Sequence, residues 1–90
     1  MALQILNAAG PDPQQIVQQL REAIENALPS SEIEVHCASP GHFEIQVTSE
    51  RFAGLPRLKQ HQLVYGAITS LMSGDAAPVH AVDRLECRIP

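Results

Sequence analysis

The sequence predicts an α+β domain with the element order α-β-β-α-β, in which two helices pack on one face of a three-stranded mixed sheet. Three observations predict it. Residues 13–28 and 58–73 repeat apolar side chains at helical spacing. Residues 32–37 and 43–49 alternate apolar and polar side chains on either side of a Pro-Gly turn, the pattern of a hairpin. A third alternating stretch, 79–89, follows the second helix. It can therefore return parallel to the strand that precedes that helix, through a right-handed crossover.

The first helix is announced by Asp12 as a cap, Pro13 at the first helical position and Gln15 three residues on, as in a capping box. Ile16, Leu20, Ile24, Ala27 and Leu28 form its apolar stripe, and Pro29 stops it. In the hairpin, Ile33, Val35 and Cys37, then Phe43, Ile45 and Val47, face the core; Glu34, His36, Glu44, Gln46 and Thr48 face water. "ASPGH" reads as a five-residue loop between them, and "ERFAGLPR" as the loop into the second helix. That helix, Leu58 to about Ser73, offers Leu58, Val64, Tyr65, Ile68, Leu71 and Met72 as its stripe, with His61 beside it and Gly74 as a stop. In the last strand Val79, Ala81, Leu85, Cys87 and Ile89 alternate with His80, Val82, Arg84, Glu86 and Arg88. Asp83 breaks the inward series, which predicts a bulge or an edge position. Residues 1–10 read as a flexible terminal segment and residues 11–90 as the one domain that a chain of 90 residues accommodates.

Composition narrows the functional classes. The net charge is −4 and aromatic residues make up 3% of the chain. Nucleic-acid binding through phosphates needs a basic footprint, and single-strand binding needs stacking platforms; neither is prominent. One local basic cluster, Arg51, Arg57 and Lys59 with His61 nearby, surrounds the start of the second helix. Such a cluster is most often a solvated surface. No apolar run approaches the ~18 residues of a membrane span, and no positive segment precedes the first apolar residues as in a secretory signal. The expected compartment is the cytoplasm, where two cysteines read as free thiols or ligands. Enzyme signatures such as a phosphate loop or a nucleophile elbow are missing, so no enzymatic activity is expected.

The topology gives His80 a context. If strands two and three are parallel neighbours, their first residues share one end of the sheet. His80 then lies beside the loop that carries Cys37 and His42, with His36 close by. Imidazole and thiol donors suit iron–sulfur clusters, zinc or copper. No CxxC or HxxxH spacing supports a complete four-ligand site, so the set reads as half a site that a partner would finish. A lone outward histidine on a strand is otherwise an ordinary surface residue, and Cys37 otherwise a small buried hydrophobe. A Cys37–Cys87 disulfide is the poorer reading, because Cys87 lies about 20 Å beyond the His80 end at ~3.3 Å per residue.

The stretch "VTSERFAGLPRLKQHQLVYGAI", followed by "VHAV", resembles the BolA family. The ordered features are Ser-Glu-Arg-Phe after a strand, Phe52-x-Gly54, a helix start with His61 and Val64-Tyr65, and the Val79-His80-Ala81 strand opening. They span roughly residues 13–86. The resemblance implies a fold like a class II KH domain and a non-enzymatic adaptor in iron–sulfur and redox homeostasis. It implies a monothiol glutaredoxin as partner and a [2Fe–2S] cluster shared with that protein and glutathione, none being held by the isolated chain. His80 would be the C-terminal ligand. The second would come from the hairpin loop: Cys37 ranks first as the softer donor, then His42, with His36 third. Some family members are described as transcription regulators that bind DNA near the second helix. Here Gln60-His61-Gln62 stands where the family often has Arg-His-Arg, which removes two phosphate contacts. The alternative function is thus a KH-like nucleic-acid-binding regulator using Arg51, Arg57, Lys59 and His61. A homodimer of free chains is the other partner that the sequence admits.

Overall fold

The structure, a computed structural model, describes residues 12–90, so the terminal segment expected at 1–10 lies outside the described residues. The elements are α1 (Pro13–Ala27), β1 (Glu32–Ser39), β2 (His42–Thr48), a 3-10 turn (Glu50–Phe52), α2 (Arg57–Met72) and β3 (Ala81–Arg88). The strands form one sheet in the order β1-β2-β3. β1 and β2 are antiparallel, and β2 and β3 are parallel, as the crossover through α2 requires.

Local chemistry explains the boundaries. Asp12 caps α1 by accepting a hydrogen bond from the Gln14 N–H at 3.0 Å, with Pro13 at the first helical position. The cap therefore closes on Gln14, and not on Gln15 as in a capping box. Ile16, Leu20 and Ile24 of α1 are buried, as is Leu28 just beyond it; Ala27 is exposed, one step off the stripe. α1 is tied to the sheet by the Arg21 guanidinium, which donates to the Ile33 carbonyl. Ser73 ends α2, and Gly74 follows with a φ of 89°.

The core lies between the helices and one face of the sheet. Phe43, Ile45 and Val47 of β2 are essentially inaccessible, because the central strand is covered by its neighbours and by the helices. Val64 and Ile68 of α2, and Val79 ahead of β3, complete the cluster. Phe52 is fully buried too, although it sits in a stretch whose sequence reads as loop. The 3-10 turn folds it inward: Ser49 caps the turn by accepting from the Arg51 N–H at 3.0 Å. Gln60 holds the loop from α2, its amide donating to the Phe52 carbonyl at 3.2 Å and the Leu55 carbonyl at 2.9 Å.

Several sequence expectations change. The hairpin loop is not five residues but two, Pro40 and Gly41, because β1 runs on to Ser39 across a bulge between Cys37 and Ser39. Pro40 followed by a glycine at φ 79° is the residue pair of a type II turn. Leu58 and Tyr65 are exposed rather than in the core. At ~3.6 residues per turn they sit roughly 80–100° around α2 from the middle of the Val64–Ile68 stripe, on the flank of the helix that the sheet does not cover. The bulge in β3 is where the alternation broke: Phe43 pairs with Val82, but Glu44 pairs with Arg84, leaving Asp83 as the extra residue. An extra residue resets the phase of a strand. Hence Val82, Leu85 and Cys87 pack on the core, whereas Ala81 does not and Val82 is not turned outward as expected. Ile89, beyond the end of β3, is exposed.

Candidate functional site

The two turns that precede β2 and β3 meet at one end of the sheet. The Gly41 carbonyl accepts two backbone hydrogen bonds, from the His80 N–H at 2.9 Å and the Ala81 N–H at 3.1 Å. In the ladder His42 is the partner of Ala81. His80 and the hairpin tip are thus joined directly, as the parallel topology anticipates.

His80 is exposed, and its ring lies close against Gly41 of the turn. A Cβ added to Gly41 would come within 2.5 Å of His80 Nδ1 and 2.8 Å of its Cγ. The turn therefore needs glycine for two reasons: a left-handed backbone, and room for the imidazole. His42 is half-buried, and its Nδ1 lies 3.0 Å from a carboxylate oxygen of Asp83, the bulge residue.

The other candidate donors are placed differently. Cys37 is half-buried on the core side of β1, and its thiol donates to the Ser39 carbonyl at 3.2 Å. It pairs with Phe43, so the whole width of β2 separates it from β3. His36 is exposed on the face of the sheet that no helix covers, where it lines a shallow polar groove with Glu44 and Arg84. Among the described residues no three His, Cys, Asp or Glu side chains form a group able to hold a metal ion. Both cysteines are free thiols, and burial pushes the Cys87 thiol up to about 11.

The basic cluster is divided. Arg57 and His61 line a groove between the start of α2 and β3, opposite Arg84 and Arg88. Arg51 and Lys59 are exposed and do not line it. Of the two strand arginines that sequence reasoning left aside, Arg88 is already paired with Glu86 at 3.1 Å. Sequence reasoning also missed the Asp83–His42 contact. The break in alternation marked Asp83 as unusual, but nothing in the sequence said which side chain it would meet across 41 positions.

A three-stranded mixed sheet backed by two helices, with imidazole donors gathered at the β1–β2 turn, defines a small α+β module of the α-β-β-α-β type. The chain belongs to the BolA-like family. It matches the family model "BolA: BolA-like protein" over residues 16–88. BolA-like protein 1 of Bos taurus is 35% identical over 80 residues, covering 79% of this chain and 56% of that protein. The chain thus spans little more than half the length of the curated relatives it matches. Among solved structures, a BolA homologue from Coxiella burnetii is 31% identical with a TM-score of 0.66, covering 81% of this chain and 88% of that one. The solution structure of BolA1 from Mus musculus is 29% identical with a TM-score of 0.65, covering 89% and 68%. No helix among the described residues is long and apolar enough to cross a membrane.

Proposed function

We propose that this chain is a non-enzymatic adaptor that pairs with a monothiol glutaredoxin and shares a [2Fe–2S] cluster with it. The observation that carries the reading is the placement of His80. It is exposed and pressed against Gly41, and its N–H and that of Ala81 both donate to the Gly41 carbonyl at a turn that also presents His42. The donor chemistry fits the group: imidazole pairs replace thiolate pairs on one iron of known [2Fe–2S] centres. The donors stand open at the edge, which suits a cluster whose remaining positions come from a partner cysteine and from glutathione. Bound there, the cluster would supply reversible one-electron chemistry and a transferable iron–sulfur unit. The chain's own part is to hold His80 in a fixed pose and to leave its ring accessible.

The test is reconstitution. The chain is mixed with a monothiol glutaredoxin, glutathione, ferrous iron and sulfide, and visible absorption and circular dichroism are recorded. The expected result is a spectrum distinct from that of glutaredoxin alone, lost on His80→Ala while the far-ultraviolet spectrum stays native. An unchanged visible spectrum on His80→Ala would remove the ligand role. Steeply salt-dependent binding of DNA in place of cluster sharing would move the weight to the nucleic-acid reading.

A further inference from the structure

We infer that Asp83 is a positioning residue that fixes His42 with its proton on Nδ1, and thereby makes His42 the second ligand at this edge, beside His80. The inference rests on the cluster-sharing reading above and specifies which side chain completes it.

The argument starts from the bulge. β3 carries one residue more than β2 between the Phe43–Val82 and Glu44–Arg84 pairs, and that residue is Asp83. A bulge takes its residue out of the ladder and re-aims the side chain. Here the carboxylate is aimed back across the strands to His42 Nδ1, at 3.0 Å. A carboxylate offers acceptors only, so the imidazole nitrogen facing it must carry the proton. In a neutral ring that leaves the lone pair on Nε2, on the side away from Asp83. A carboxylate behind a histidine is the arrangement that orients metal-bound imidazoles and raises their basicity.

The competing donors lack this preparation. The Cys37 thiol is turned to the core side and spends its hydrogen on the Ser39 carbonyl, so ligation would need that bond broken and the thiol deprotonated. Cys37 also stands on β1, about 10 Å from β3 at two strand spacings, whereas β2 and β3 are adjacent. His42 pairs with Ala81, the residue next to His80. His36 pairs with Glu44, two residues further along the ladder from His42. The edge therefore offers two imidazoles, one just ahead of β3 and set by Gly41, the other at the head of β2 and set by Asp83.

Two measurements on the full chain test this. The first needs no cluster. In 15N-labelled protein, His42 is expected as the Nδ1–H tautomer, and Asp83→Asn should abolish that preference, because an amide can donate as well as accept. Asp83→Glu should restore it. A His42 tautomer indifferent to Asp83→Asn would overturn the positioning role. The second uses the reduced complex with glutaredoxin, glutathione and the cluster, read by pulsed electron paramagnetic resonance. Two strongly coupled imidazole nitrogens are expected in the wild type, and one after His42→Ala or His80→Ala. Cys37→Ser should leave both. Asp83→Asn should speed loss of the cluster to a chelator roughly 10–100-fold, the usual penalty for removing a ligand's supporting partner. Couplings unchanged by His42→Ala, or a cluster lost on Cys37→Ser, would overturn the ligand assignment alone. Absence of any mixed-complex signal with the wild-type chain would instead sink the cluster-sharing reading and the assignment with it, while the tautomer measurement still judges Asp83.

Discussion

Gly41→Ala should be markedly worse than the same change at the other left-handed glycines, and the difference measures how tightly His80 is held. Gly41, Gly54 and Gly74 have φ values of 79°, 78° and 89°. Placing an L-residue in that region costs roughly 1–2 kcal/mol at each. At Gly54 and Gly74 a new Cβ meets nothing within 4 Å, so backbone strain is the whole cost. At Gly41 the Cβ would sit 2.5 Å from His80 Nδ1, inside contact distance, so the ring or the turn must move. Opening the turn weakens the two bonds from His80 and Ala81 to the Gly41 carbonyl, each worth about 0.5–1.5 kcal/mol. The excess over the controls is therefore about 1–2 kcal/mol. For a domain of this size each kcal/mol shifts Tm by roughly 4–8 °C, so Gly41→Ala should melt about 5–15 °C below Gly54→Ala or Gly74→Ala. Thermal unfolding of the three variants, with the His80 ring resonances followed by NMR, makes the comparison. Equal melting temperatures and an unmoved His80 would show that the imidazole is free of the turn, and the fixed-ligand argument would fail.

Phe52→Ala should destabilise by about 3–5 kcal/mol in urea titration, since its side chain is wholly buried; a loss under 1 kcal/mol would mean the 3-10 turn does not anchor the core. Gln60→Ala should cost about 1–3 kcal/mol, because the Leu55 carbonyl loses its side-chain donor and the Phe52 carbonyl keeps only the Leu55 N–H, and amide exchange should quicken at the Phe52–Leu55 turn while α2 stays protected. The Cys87 thiol, pushed to about 11 by burial, stays protonated in the folded chain at a pH where the unfolded chain has begun to lose that proton near 9.0. The folded state then binds more protons, so stability should fall as pH rises from about 9 to 11, and Cys87→Ala should remove that part of the decline. A pH profile identical in the variant would show that the thiol is not desolvated.

Much of the architecture was legible because it is periodic. The strand faces of β1 and β2 follow simple alternation, and Ile33, Phe43, Ile45 and Val47 are buried where alternation puts them. Phase fails where the period is interrupted. At Asp83 the break could be seen, but its consequence for Ala81 and Val82 depends on which strand absorbs the extra residue. Phe52 escaped because a loop has no period to read, and its burial depends on the Ser49 cap and the Gln60 tether, set by tertiary contacts. The joining of His80 to the hairpin tip followed from topology alone. The contact between His42 and Asp83 did not, because side-chain pairing across a bulge is set by local geometry that the sequence pattern does not encode.

The same interruption connects fold and site. A regular β3 would keep every side chain in step with β2 and leave no carboxylate to reach back to His42. The bulge puts Val82 on the core beside Phe43, then supplies Asp83 to the edge, then returns Leu85 and Cys87 to the core. Shape at the edge is obtained while apolar burial on either side is kept, so the donors need not contribute to stability. His80 is exposed, and the side chains of His42 and Asp83 are 42% and 43% accessible, so removing any of them leaves no buried polar group unpaired. Substitutions at His42, His80 and Asp83 should therefore leave folding unchanged. On the proposed cluster-sharing reading, that separation allows loss of the cluster to be read apart from unfolding.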